Sequence, residues 1–306
     1  MMKMSRDGTT RSLELYLRER KANIDKALDV YLPKTDTYPP AIFEATRYSV
    51  FAGGKRLRPI LCVAAAEAVG GREEQVLPVA CAIELIHTYS LIHDDLPAMD
   101  DDDFRRGRPT SHKVYGEGIA ILAGDALLTE AFYLMSRADL MADVDADRRL
   151  MVINEVSRAA GCFGMVGGQV ADLQSEGAAV DEETLHYIHV HKTAALISVS
   201  LRAGALLANA GSGDLQALTN YGRKIGLAFQ IADDILDIES TREVLGKDTG
   251  SDEERRKMTY PALFGVERSR HKAGELVNGA LVDLERCDER AWPLREIAAF
   301  ILERKS

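Results

Sequence analysis

The stretch LTNYGRKIGLAFQIADDILDI, residues 218–238, decides how the rest of the chain is read. Its apolar residues recur at spacings of three and four, the period of an amphipathic helix, and no proline interrupts them. The run ends in Asp233, Asp234 and Asp237. On a helix Asp233 and Asp237 are i and i+4 neighbours and Asp234 lies i+3 from Asp237, so carboxylates crowd one face. Like charges at that spacing cost helix stability unless a cation relieves them.

Working outward, proline is the most informative punctuation, because it removes a donor and clashes with the preceding helical turn. Seven of the nine prolines lie at or before Pro109, and none occurs from Thr110 to Tyr260. Within that span AILAGDALLTEAFYLM repeats the helical spacing, and no sustained alternation of β-branched and polar residues marks a strand. The expected fold is all-α, a single-domain bundle of helices roughly 20 to 30 residues long. Breaks are expected at residues 35–40, 70–74, 104–118, 145–149, 175–183, 209–214 and 243–261. None is long or simple enough for an interdomain linker, so residues 1–306 read as one domain.

With 306 residues, 46% of them hydrophobic, the chain is long enough to bury a large core. Its formal net charge of −10 argues against a basic nucleic-acid surface, so an anionic ligand needs local help to bind. Cys62, Cys81, Cys162 and Cys287 are scattered, without a CxxC pair, and read as reduced thiols. No apolar signal core opens the sequence and no run of about 18 uninterrupted apolar residues occurs, so the expectation is a cytoplasmic protein without stable membrane insertion.

A second acidic run, HDDLPAMDDDDFRRG at residues 93–107, packs six aspartates between a histidine and two arginines, with Pro97 inside. Charge runs are usually solvated loops. Two carboxylate clusters, each preceded by an apolar helical run, instead suit hard cations. Mg2+ in particular is commonly held by one or two carboxylates together with substrate phosphates. Neighbouring helices in a bundle would bring the clusters face to face, with a diphosphate bridged between them. Asp94, Asp95 and Asp100 are the candidates from this run, and Asp101, Asp102 and Asp103 read as supporting or solvent-facing.

Basic residues stand at useful distances. GGKRLRP at 53–59 places Lys55 and Arg58 three apart, either a surface ion-pair element or a metal-free diphosphate site. Arg105 and Arg106 either bind phosphate oxygens or neutralise the aspartates beside them. His87 lies two helical turns before Asp94 on roughly the same face. HYIHVHKTAALI supplies His186, His189 and His191 without the spacing of a metal motif, and then Lys192 and Thr193. Lys247 and Lys257 are either solvated loop lysines or counter-charges for a diphosphate.

GGKRLRP, HDDLPAMDDDDFRRGRPTSH, GGQVADL, HKTAAL, FQIADDILD and GKDTGSDEERRKMTYP occur in the order found in the trans-prenyltransferases, or isoprenyl diphosphate synthases. The chain resembles that family over residues 40–306, approximately. The resemblance implies an all-α bundle around a deep central cavity, usually a homodimer, with both aspartate motifs at the cavity mouth. It implies about three Mg2+ ions per site. Asp94, Asp100 and Asp233 would hold them, with Asp95, Asp234 and Asp237 as ligands or supports. Isopentenyl diphosphate would sit on Lys55, Arg58, His87 and Arg106, and Arg105, Lys192 and Lys247 would contact the allylic diphosphate. Gln230, Thr193 and the Lys192 carbonyl would face the allylic cation.

Tyr89 stands five residues before Asp94, about 7.5 Å along a helix. A bulky ring there, next to Ser90 and in a motif with the extra Leu-Pro pair, looks like bacterial-type farnesyl diphosphate synthases. The expected product therefore has fifteen carbons, the alternatives being geranyl or geranylgeranyl diphosphate. Ala194 departs from the glycine that often follows the Lys-Thr pair. A terpene cyclase would usually replace the second aspartate motif, and an inactive regulatory subunit would have lost motif residues.

Overall fold

Apolar segments with helical periodicity become helices throughout the computed structural model, which describes residues 12–177, 181–239 and 259–303. The first four helices are α1 (Leu13–Tyr31), α2 (Pro40–Val50), α3 (Leu57–Ala68) and α4 (Glu73–Asp94). A two-residue hairpin follows, Phe104–Arg105 paired antiparallel with Arg108–Pro109. Then come α5 (Ser111–Tyr115), α6 (Glu117–Ser136), α7 (Ala146–Ala160), α8 (Met165–Ser175) and α9 (Glu182–Ile188). A π-helical turn, His189–Ala194, leads into α10 (Ala195–Leu207). The chain closes with α11 (Ser212–Glu239), α12 (Tyr260–Phe264), α13 (Val266–Asp283) and α14 (Trp292–Glu303).

Helices α3, α4 and α10 form the centre. α3 is buried along most of its length, from Pro59 to Ala66, and α10 packs on α3, α4, α7 and α11. The close approach of α10 to α3 requires Gly204, where a Cβ would stand 2.0 Å from the Cys62 carbonyl oxygen. α4 pairs with α6, and α11 with α13, on either side of this centre. α4 and α6 are both long and apolar enough to cross a membrane by composition. In α4, however, 72% of the apolar window is buried inside the protein.

The expected breaks at 35–40, 145–149 and 209–214, and the described residues of 175–183, fall between or at the ends of helices; residues 178–180 and 243–258 lie outside the described residues. The expected helix length holds for α4, α6 and α11, of 22, 20 and 28 residues, but not for α3 or α8, of 12 and 11. Gly161 and Gly164 separate α7 from α8, where a Cβ on Gly164 would lie 2.0 Å from the Ala159 carbonyl. The π turn, which admits one extra residue per turn, joins α9 to α10 in one unbroken helical run from Glu182 to Leu207. Pro78, conversely, lies inside α4 near its N-terminal end without ending the helix.

Candidate active site

The segment HDDLPAMD turns the end of α4 back on itself. Leu96 N–H donates to His93 O at 3.2 Å, and Pro97 brings no donor of its own. Asp100 N–H then donates to the Asp94 carbonyl at 2.7 Å, so the Leu-Pro pair folds Asp100 back beside Asp94. Burial pushes the Asp94 carboxyl up to about 6; Asp100 and Asp95 add to the rise, while Lys192 and Arg105 oppose it. Asp95 is also pushed up to about 6, chiefly by burial, although Arg105 Nε donates to its Oδ1 at 2.6 Å. Asp101 and Asp103 are exposed.

The hairpin places the two arginines apart. Arg106 and Gly107 both have positive φ, 54° and 73°, as a type I′ turn demands. Arg105 reaches Asp95 and Asp102, whereas Arg106 turns the other way and donates to the Gly53 carbonyl. Gly54 keeps that space open: a Cβ there would lie 2.6 Å from the Arg106 guanidinium.

A cup of about 410 Å3 lies on that side, lined by Lys55, Arg58, His87 and Arg106 together with Phe229 and Asp233. All four basic residues that the sequence nominated for isopentenyl diphosphate thus meet in one space. Arg58 Nε is buried there without a hydrogen-bond partner, a donor suited to an anion's oxygen. Burial, with Arg58, Arg106, Arg105 and Arg56 nearby, holds His87 well below the ordinary imidazole range. His87 is therefore neutral at pH 7 and offers one N–H rather than a charge.

Between the acidic turn and α11 stands the π turn. Lys192 Nζ donates to Asp172 Oδ2 at 2.5 Å, and Asp94 and Asp100 also help to keep it charged. Thr193 Oγ1 donates to Gln230 Oε1 at 2.6 Å, and Gln230 Nε2 donates to Asp234 Oδ1 at 2.8 Å. Asp234 Oδ2 accepts the Tyr260 N–H at 3.0 Å and lies 3.4 Å from His189 Nε2. Asp234 and Asp237 are both buried, at 4% and 7% exposure. Ala194, in place of the usual glycine, is accommodated by Gly226 on α11, where a Cβ would come within 2.5 Å of the alanine methyl.

Tyr89 is buried in the main core and meets the His93 ring edge to face at 5.7 Å; Ser90 donates to the His87 carbonyl. His186 is exposed, and His191 binds the Tyr187 carbonyl through Nδ1. Lys247 and Lys257 lie outside the described residues.

Residues without a role in the sequence reading hold the site in shape. Arg56, 3% exposed and at φ 54°, donates to Asp25 at 2.8 Å, Glu84 at 2.7 Å and the Val50 carbonyl at 2.6 Å. It pins the loop between Lys55 and Arg58. In GGQVADL, Gly168 and Asp172 are i and i+4 on α8: a Cβ on Gly168 would lie 2.2 Å from Lys192 N, and Asp172 holds Lys192 Nζ. The motif was visible in the sequence, and its pairing with Lys192 was not.

Among the described residues no three carboxylate, histidine or cysteine side chains form a preformed metal cage. The available donors are nevertheless hard oxygens, and Asp94 and Asp95 carry a charge penalty from burial and mutual repulsion that a divalent cation relieves. Mg2+ keeps waters and shares substrate phosphates rather than filling an all-protein cage. The residues fit an ion of that kind, completed by diphosphate.

Asp233 of α11 thus shares one cup with Lys55, Arg58, His87 and Arg106. The polyprenyl synthetase family profile matches residues 39–291, and the chain belongs to that family. It is 49% identical over 263 residues to the farnesyl diphosphate synthase of Bacillus subtilis, covering 86% of this chain and 88% of that one. It is also 49% identical over 299 residues to the geranylgeranyl diphosphate synthase of Cyanophora paradoxa, covering 97% and 98%. The crystal structure of the Helicobacter pylori geranyltransferase, complexed with magnesium and isoprenyl diphosphate, superposes with a TM-score of 0.83 at 33% identity, covering 96% and 98%. The protein is thus a trans-prenyltransferase with the all-α isoprenoid synthase fold, from a family that depends on magnesium.

Proposed function

We propose that the chain condenses isopentenyl diphosphate head to tail with dimethylallyl and then geranyl diphosphate, giving (2E,6E)-farnesyl diphosphate and diphosphate. The observation that carries the chain length is Tyr89, a buried ring just over one helical turn below Asp94 on α4. Its bulk excludes a fourth isoprene unit by steric contact.

In this reading isopentenyl diphosphate occupies the cup of Lys55, Arg58, His87 and Arg106. The allylic diphosphate lies against Lys192 and Arg105, with Lys247 and Lys257 as further counter-charges. Mg2+, about three ions per site, would be held by Asp94, Asp100 and Asp233 and would stabilise the charge on the leaving diphosphate. Asp95, bound to Arg105, and Asp234, bound to Gln230 and Tyr260 N–H, act as supports, with Asp237 buried behind them.

The allylic carbon–oxygen bond breaks with both electrons leaving on the diphosphate, and Lys192 and Arg105 stabilise that charge. Thr193 spends its hydroxyl proton on Gln230, so its oxygen lone pairs are left for the allylic cation. The isopentenyl double bond supplies the electron pair of the new carbon–carbon bond. A proton then leaves the adjacent carbon for the departing diphosphate, so no protein base is needed.

The domain, residues 1–306, is proposed to work in the cytoplasm as a homodimer. Ile121 and Leu122 on α6 and Leu150 and Met151 on α7 are 44%, 54%, 66% and 48% exposed, an apolar face suited to a second copy. Light scattering after size exclusion checks this, and a monomer at micromolar concentration overturns it. The function is tested by incubating the protein with isopentenyl and dimethylallyl diphosphates, with Mg2+ or EDTA, and measuring product length. A twenty-carbon main product overturns the farnesyl assignment.

A further inference from the structure

A cavity of about 680 Å3 lies behind the π turn, outside the diphosphate cup. Its charged lining is lopsided: Arg158, Arg202, Arg223 and Lys224 against the single carboxylate of Glu155. Glu155 is already committed, taking Arg202 Nε at 2.6 Å and the second guanidinium nitrogen at 2.5 Å. Lys224 is held by Asp283 at 2.6 Å. Arg158 and Arg223 have no carboxylate partner among the described residues, and Arg158 Cζ lies over the Phe163 ring, 4.8 Å from its centroid. In a chain of net charge −10, two solvent-exposed guanidinium groups without a carboxylate partner on one cavity suit an anion.

Apart from His186, His191 and Ser198, the remaining wall is hydrocarbon. Ala195 and Val199 on α10, Leu227 on α11 and Leu276 on α13 line it. A small inorganic anion would leave that surface wet, whereas an apolar chain covers it.

We propose that this cavity is a second ligand site, for an amphipathic anion whose phosphate or carboxylate head meets Arg158 and Arg223 and whose hydrocarbon tail covers Val199 and Leu227. The site shares a wall with the reaction centre. Val190 and Ala194 of the π turn line the cavity, while Lys192 and Thr193 of the same turn bind Asp172 and Gln230. Ala194 also abuts Gly226, so the turn has little room to shift without moving α11.

The test is calorimetric titration in EDTA of the full chain and of the double variant Arg158→Gln/Arg223→Gln, with three probes. These are tetradecanoate, geranyl diphosphate and inorganic diphosphate. The expected result is that at least one of the two amphipaths binds the variant about tenfold more weakly than the unaltered protein. The amphipath that responds tells a fatty-acyl source from an isoprenyl one. The inference is overturned if both amphipaths bind the two proteins equally. It is also overturned if inorganic diphosphate binds as tightly as the amphipaths and depends equally on the arginines, which marks a simple anion patch. An unchanged melting temperature and an unchanged condensation rate at low substrate establish that the variant is folded. Because the titration reads Arg158 and Arg223 directly, it is independent of the product that the enzyme makes.

Discussion

Thr193 Oγ1 and Gln230 Oε1 lie 2.6 Å apart, joining the π turn to α11 across the site. The amide of Gln230 is fixed from its other side by Asp234, so the Thr193 hydroxyl has one defined direction in which to donate. Thr193→Val keeps the shape and removes the oxygen. It should lower kcat by roughly a hundredfold, the scale for losing one preorganised dipole at a developing charge. KM for isopentenyl diphosphate should hardly move, and steady-state kinetics on both substrates check the split.

Arg56 bridges Asp25 and Glu84 from a position that is almost fully buried. Arg56→Ala leaves Glu84 without its charge partner and should destabilise the protein by roughly 3–5 kcal/mol, the usual effect of breaking a buried pair from one side. Chemical denaturation measures this. Arg56→Lys restores charge without the three-way fork, so it should recover part of the stability and leave KM for isopentenyl diphosphate raised.

Burial pushes the Asp94 and Asp95 carboxyls from the usual 3.8 up to about 6, and the sign of the consequence depends on metal. Without metal, the folded state keeps protons that the unfolded chain has already released between those values. The two groups therefore weaken the fold above about pH 6, and that penalty disappears as pH falls toward 4. Mg2+ with diphosphate binds the ionised forms. The rise in melting temperature on adding both should thus be large near pH 7.5 and nearly absent near pH 5. An equal rise at both values would remove these carboxylates from metal binding.

Tyr89→Ala should shift the main product from fifteen to twenty or more carbons, as read by chromatography of the dephosphorylated alcohols. Loss of a buried ring also costs about 3–5 kcal/mol of stability. Tyr89→Phe, which keeps the ring, should retain the fifteen-carbon product. An unchanged product from Tyr89→Ala takes the ring out of its assigned role.

What could be read from sequence was whatever is written at short range. The i, i+4 carboxylates of α11, the turn HDDLPAMD and the loop GGKRLRP each carry their chemistry within a few residues. The structure brings Lys55, Arg58, His87 and Arg106 to one cup. What could not be read depends on distant pairing. Arg56 finds Glu84 28 residues away, and Lys192 finds Asp172 20 residues away, with no local signal for either. Helix length was overestimated between α7 and α8, where the Gly161–Gly164 break interrupts helical periodicity without a proline.

The hairpin at residues 104–109 has a consequence for how this enzyme tolerates change. Arg105 and Arg106 are adjacent in the chain yet point to different partners, Asp95 and the Gly53 carbonyl, with the backbone in the left-handed region at Arg106. A one-residue insertion or deletion there should misdirect both guanidinium groups at once, even with every side chain kept. On the proposed reading, the length of this six-residue ribbon then matters alongside the charges it carries.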